Sequence, residues 1–336
     1  MLTLCPPLRR PAPRRPAPRR RAAGPRALGL AAALASAGGC LPGDERPPPG
    51  IVSVSLEGAP GLDARAPVTT DDGWAVTFDR VLVASSGVSE EGSSETTADG
   101  VSPCEGYYDT SMRAIYDLVV PGPRPLGNFA GLGECGFNVS WGRLGLSPDV
   151  LGPGVSLDDV RAIAASAQAT GSRGLPALYV AGSATDGTRQ KSFAWPFSPR
   201  VLFFGACGRP RRALAFRRRF DEGAALAAAV TVHPAWLFAD VADGPAPRLR
   251  FGPLADADER GDGDGAITRA ELEKLPLADL AGGDGTYALL PSTPPPLDAE
   301  GNPRPPALID FVGLLAGRAF YNDGRDPCSA DLPPGG

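Results

Sequence analysis

Apolar side chains recur at every second position in short runs divided by turn residues, and this period constrains the fold more than any other feature. Trp74, Val76 and Phe78 alternate with Ala75, Thr77 and Asp79, and the run continues through Val81 and Val83. Phe137, Val139 and Trp141 alternate with Asn138, Ser140 and Gly142. Ile51, Val52, Val54 and Leu56 form an earlier run, and Ala177–Ala181, Ser192–Phe197, Val201–Phe204 and Ala225–Val232 read as further strands. A period of two puts alternate side chains on opposite faces, so each run buries one face and wets the other. Clusters drawn from 43 glycines and 38 prolines separate most of the runs, a pattern of antiparallel sheets rather than βαβ units. The expected class is mainly β, one or more antiparallel β-sandwiches with a C-terminal helix.

Helical periodicity is confined to fewer segments. Ser156–Thr170 sets Val160, Ile163, Ala164 and Ala167 on one face, with Ser156 and Asp159 in capping-box spacing. Thr268–Leu275 and Ala307–Phe320 are the other candidates, and the Pro/Gly-rich stretch 282–306 reads as a surface loop. The plan that follows has a leader at 1–39, a tether at 40–50 and a first β-unit at 51–150. A helix with a second β-unit occupies 151–250, and 251–336 holds an acidic loop, the Pro-rich loop and the terminal helix.

The leader carries eight arginines, an apolar run from Ala27 to Ala37, and then Gly38-Gly39-Cys40. A bilayer span takes about 20 apolar residues, so this run is a cleaved segment rather than an anchor helix. A cysteine directly after the small residues resembles a bacterial lipoprotein signal. That resemblance implies lipidation at Cys40 and an outer-membrane or cell-surface location, with a periplasmic or secreted protein as the alternative. Without the leader's eight basic residues, the 33 basic and 38 acidic residues become 25 and 38, a balance of −13. Nucleic acid needs a basic footprint and is excluded as a partner; peripheral binding to anionic lipid is disfavoured on the same ground.

Cys104, Cys135, Cys207 and Cys328 remain besides Cys40, an even number in an exported chain. Of the three connectivities, Cys104–Cys135 with Cys207–Cys328 is favoured, because the first brackets one segment and the second ties down the tail; four buried thiols are the alternative. The spacings contain no CxxC zinc pattern.

Residues Asp256 to Leu272 read DADERGDGDGAITRAEL. This resembles the calcium loop of EF-hand and dockerin-like proteins, with acidic ligands at loop positions 1, 3, 5 and 12, glycine at 6 and an apolar residue at 8. With Ile267 at position 8, Asp262, Asp264, Gly265 and Glu271 take positions 3, 5, 6 and 12, and Arg260 falls at position 1. A loop enlarged by two residues brings Asp258 to the first role, with Asp256 or Glu259 as substitutes. The resemblance implies a Ca²⁺ site of Asp258, Asp262, Asp264 and Glu271; a solvated acidic turn is the alternative. A helix before the loop is not evident.

Gly131-Leu132-Gly133-Glu134-Cys135-Gly136 satisfies GxGxxG, but an alternating run follows where a dinucleotide fold needs a helix, so it reads as a glycine-rich β-turn. The single histidine, His233, excludes an HExxH site and reads as a packed or capping imidazole, with a metal ligand beside Asp240 and Asp243 as the sharper alternative. Trp74, Trp141, Trp195 and Trp236 lie in or beside strands and read as core.

The Arg-rich leader, the Gly73–Val83 run, the GDGDGAIT loop and the late Cys328 together resemble the exported lipoproteins of myxobacteria and related GC-rich bacteria. The resemblance implies a lipid-anchored envelope protein with a short EF-hand-like segment. Its expected role is non-enzymatic, in structure, binding or adhesion towards a protein or glycan ligand; a periplasmic copper-type protein using His233 is the alternative.

Overall fold

The computed structural model describes residues 47–90, 104–142, 148–169, 175–197, 213–242, 247–281, 286–291, 293, 295–298 and 301–322. The leader, Cys40, Cys207, Cys328, Asp243 and the expected strand Val201–Phe204 lie outside them. Strands dominate: β1 (Gly50–Gly58), β2 (Val68–Thr69), β3 (Ala75–Glu90), β4 (Cys104–Ser111), β5 (Ala114–Asp117), β6 (Pro125–Trp141), β7 (Leu178–Thr185), β8 (Gln190–Phe197), β9 (Ala213–Phe220), β10 (Ala225–Val232), β11 (Ala266–Ile267) and β12 (Phe320–Asn322). All of them join one sheet whose path runs β11-β8-β7-β3-β6-β1-β10-β12, with β2 and β5 on β3 and with β4 and β9 on β6.

The sheet is mixed, which corrects the expectation of antiparallel pairing alone. β1 runs parallel to β10, and β8 runs parallel to β11. In a mixed sheet a strand can alternate and still have one parallel neighbour: β1 alternates buried and exposed positions while pairing parallel with β10 and antiparallel with β6. The strands of 51–150 and 151–250 also enter the same sheet, because β3 pairs with β7 and β6 pairs with β9.

Two long strands make this continuity. β3 pairs with β7 through Ala75–Val83 and with β6 through Ser85–Glu90, changing register between Ser85 and Gly87. Gly87 has φ 103°, and a Cβ there would lie 2.5 Å from that of Ser111, so the bulge requires glycine. The GxGxxG segment is no turn: Gly131 to Gly136 lies inside β6, with Gly133 facing Cys104 of β4 and Phe220 of β9. Glycine serves close approach here, since a Cβ on Gly131 would come within 2.8 Å of the Cys135 sulfur. Cys104 and Cys135 form a disulfide that ties β4 to β6.

Four helices complete the chain described: α1 (Leu157–Ala169), α2 (Gly252–Arg260), α3 (Arg269–Lys274) and α4 (Leu308–Arg318). The α1 capping box forms as read, with Asp159 N–H donating to Ser156 Oγ at 3.1 Å and Ser156 N–H donating to Asp159 Oδ2 at 3.1 Å. Its apolar face covers Leu82, Ala84 and Ile115 of the sheet. Arg80 joins the same helix to the body through Asp159 and the buried Asp117, at 3.4 and 2.9 Å. α4 is buried at every position but Asp310, whose carboxylate pairs with Arg304 at 2.7 Å. Among the described residues no helix is long and apolar enough to cross a membrane. Trp74, Trp141 and Trp195 are buried in the core, and Trp236 packs half-buried against it.

Candidate metal centre

The acidic loop is built between two helices and fastened to the edge of the sheet. The helix preceding it, α2, corrects the expectation that none exists. Its start has no local cap: Phe251 occupies that position without a side-chain hydrogen bond. The cap comes from Asp72, far away in sequence, whose carboxylate accepts from Phe251 N–H at 3.2 Å and Gly252 N–H at 2.7 Å. Pro253 in the first turn needs no hydrogen-bond partner for its nitrogen. Phe251 is sunk into an aromatic cluster with Trp74 at 5.1 Å and Phe238 at 5.3 Å, which fixes where the helix begins.

Beyond α2 the loop is pinned to β8. Ala266 and Ile267 pair with Ser192 and Phe193, and Ser192 N–H donates to Gly265 O at 2.8 Å. Trp195 Nε1–H donates to Ile267 O at 2.9 Å from inside the core. Gly265, with φ 88°, makes the sharp turn, and its N–H donates to Asp258 Oδ1 at 3.2 Å. Asp262 and Asp264 bend the loop further by accepting from the N–H groups of Asp264 and Ala266, at 3.2 and 2.7 Å.

Three of the four residues read from sequence meet. Ligand oxygens of Asp258, Asp262 and Asp264 lie within 4.8 Å of one another, Asp258 fully buried and the other two exposed. Glu271 is not brought into that group. It heads α3 instead, where its Oε2 accepts from Thr268 N–H at 2.7 Å and Thr268 Oγ1–H at 2.9 Å. Its Oε1 accepts from Asp262 N–H at 3.4 Å, so Glu271 braces the loop from behind. Gly261 makes room for it: a Cβ there would lie 2.2 Å from Glu271 Oε1. Arg260, at the position where the resemblance asks for an acid, turns away towards Asp279 at 3.9 Å. Asp256 and Glu259 face Arg189, at 3.5 and 3.1 Å, rather than the three carboxylates.

Lys191, which the strand reading passed over, completes the constellation. Its ammonium, on β8, makes a short hydrogen-bonded ion pair with Asp258 Oδ2, and its side chain is only 8% exposed. The donor set of carboxylate oxygens suits a hard divalent cation such as Ca²⁺, which takes six to eight oxygen ligands. The pairing of Asp258 with Lys191 is the one element at odds with that fit.

His233 stands elsewhere. It heads the 3₁₀ turn Pro234–Phe238, half-buried, its N–H donating to Ala319 O at 2.7 Å; its side chain does not cap the turn. Burial pushes its pKa below the ordinary imidazole value. Asp240, its neighbour in sequence, is buried and held by Arg248 at 2.9 Å and Arg250 at 3.2 Å. Among the described residues His233 belongs to no group of three metal-ligating side chains.

No family model, no curated protein and no solved structure matches the chain.

Proposed function

We propose that this chain is an exported, lipid-anchored envelope protein whose β body is a non-catalytic binding or adhesion scaffold carrying one calcium-stabilised loop. The observation that carries the calcium reading is the convergence of Asp258, Asp262 and Asp264 at the junction of α2, β11 and α3 with the sheet. When bound, calcium supplies two positive charges and an oxygen-hungry centre, which neutralises clustered carboxylates and stiffens the segment between the sheet and the C-terminal helices. Asp258, Asp262 and Asp264 would hold it, and Glu271 would keep the loop and the start of α3 in place. A ligand set of three carboxylates, one shared with an ammonium, fits the weak range of about 10⁻⁴ to 10⁻³ M used by extracellular modules. Supporting a scaffold role, the buried acids Asp117, Asp240 and Asp258 are each neutralised by a basic side chain. The sheet, with both long strands changing partners part-way, is suited to fold over itself as a sandwich around the larger of its two buried clusters.

Calorimetric titration of the purified, oxidised protein with calcium tests the loop, with Asp262→Asn as control. Saturable heat lost in that variant supports the reading, and no heat with no calcium-dependent melting shift would refute it. Labelled palmitate entering the wild type but not Cys40→Ala tests the anchor.

A further inference from the structure

We infer that Lys191 and Asp258 condense to an intramolecular amide, a covalent staple between β8 and the end of α2, with Glu259 carrying the proton that the reaction must move.

Free in water, an ammonium and a carboxylate stay hydrated and apart. Held together in a dry site, they gain the large effective concentration of an intramolecular reaction. Lys191 and Asp258 are held in this way: their side chains are 8% and 0% exposed, and Lys191 Nζ touches Asp258 Oδ2. Lys191 stands in phase with the core residues Phe193 and Trp195 of β8, and its backbone is fixed by pairing with Ala184 of β7. Asp258 is fixed as firmly, since its backbone carbonyl accepts from Gly261 N–H at 2.9 Å and from Gly263 N–H at 3.0 Å.

The two carboxylate oxygens of Asp258 already differ in surroundings. Oδ1 accepts from Gly265 N–H at 3.2 Å, so a backbone dipole faces the oxygen on which charge grows during attack. Oδ2 faces the ammonium and is the oxygen that leaves. Glu259 Oε1 lies 3.7 Å from Nζ on a side chain 44% exposed, and Arg189 orients it at 3.1 Å. The atoms balance with no oxidant or cofactor. One Nζ proton passes to Oδ2, leaving an amine and a carboxylic acid. The nitrogen lone pair attacks Cγ, and the C–N bond forms. Glu259 takes a second proton from nitrogen and delivers it to the Oδ2 hydroxyl; the Cγ–Oδ2 bond breaks, and one water departs past the exposed Glu259.

Until then the pair contributes to stability as an ion pair. Afterwards a bond joins residues 67 positions apart and ties the acidic segment to the sheet. The amide retains Oδ1 as a carbonyl oxygen, a ligand type that calcium also accepts, so the staple and the calcium reading stand or fall separately.

Intact-mass spectrometry of the denatured, reduced full chain tests the bond. Wild type is expected to be one water lighter than its sequence requires. Trypsin should release Gln190–Arg200 joined to Phe251–Arg260 as one branched peptide, also one water light. Lys191→Met and Asp258→Ala should keep their full masses. Glu259→Gln, altered at an exposed position, should form the bond about a hundredfold more slowly on a time course after cell-free synthesis. Full mass in folded wild type after prolonged incubation would overturn the inference. So would a water lost from Gly261–Arg269 instead, where Asp262-Gly263 and Asp264-Gly265 can close to succinimides. Equal rates in wild type and Glu259→Gln would overturn the assignment of Glu259 and the mechanism built on it.

Discussion

The buried pair between Lys191 and Asp258 makes a prediction that needs no calcium at all. Lys191→Met leaves a carboxylate with under 1% exposure beside two others, and Asp258→Asn leaves a buried ammonium without its anion. Breaking a buried pair from one side costs about 3–5 kcal/mol, mostly because the remaining charge is stranded. The lower end applies to Asp258→Asn, since Glu259 lies 3.7 Å from the ammonium and takes up part of the loss. Asparagine keeps an oxygen for Gly265 N–H, so the substitution removes charge and little else. The double variant strands nothing, and its cost should fall to about 1 kcal/mol, as for other buried pairs replaced on both sides. In EDTA, thermal melts should therefore drop by roughly 6–20 °C for each single variant and by only about 2–4 °C for the double, on the size scaling for a domain like this. Denaturant titration closes the cycle, with an expected coupling above about 2 kcal/mol. Additive losses would refute the reasoning, because they would mean that the two side chains stabilise the fold independently.

Other consequences can be measured separately. Asp72→Ala removes the cap of α2 and should cost about 1–2 kcal/mol in denaturant melts, with Asp72→Asn intermediate; a neutral Asp72→Ala would deny the long-range cap. Gly261→Ala drives a methyl group into Glu271, so it should cost about 1–2 kcal/mol by breaking the capping box, and it should add little in a Glu271→Ala background, where the atoms it meets are gone. His233 has a lowered pKa through burial, so the unfolded chain takes up its proton first. Stability attributable to it is complete above the unfolded value of about 6.5 and declines as pH falls below it. Melts between about pH 7.5 and 5 should be flatter in His233→Gln, and an identical slope would exclude His233 as the source. Paired Cys104→Ser and Cys135→Ser should cost about 3–4 kcal/mol for a crosslink spanning 31 residues, and equal stability to the oxidised wild type would contradict that entropy argument.

How far the fold could be read from sequence depended on whether its determinants were local. β1, β3, β7, β8 and β10 are legible because each contains an apolar or alternating run bounded by turn residues, and α1 because Ser156 and Asp159 announce its start. β4 has Gly106 between polar residues, and β9 carries three successive arginines, Arg217 to Arg219, so neither shows the period. The middle of β6 looks like a turn in sequence because glycine signals turns and close approaches alike; only the presence of β4 and β9 on either side decides between them. The parallel pairings left no mark in any single strand. α2 was invisible for a different reason: its cap sits at Asp72, in a turn that precedes β3.

The acidic loop divides along the same line. Asp262, Asp264 and Gly265 were legible from spacing alone, and the enlarged loop led to Asp258, which is where the structure places the third carboxylate. Glu271 was legible as important but not as to its task, because a glutamate at that position serves a cation site or a capping box with the same spacing, and Thr268 claims it for the second. Lys191 did leave a signal. In β8 the inward positions are Lys191, Phe193, Trp195 and Phe197, so the lysine stands in phase with the core residues. A lysine at an inward position of an otherwise apolar strand face requires a buried acid opposite it. Starting the strand at Ser192 hid that requirement. Its answer, Asp258 at the end of a helix capped from Asp72, joins three distant parts of the chain in one arrangement. The loop therefore owes its position to the sheet.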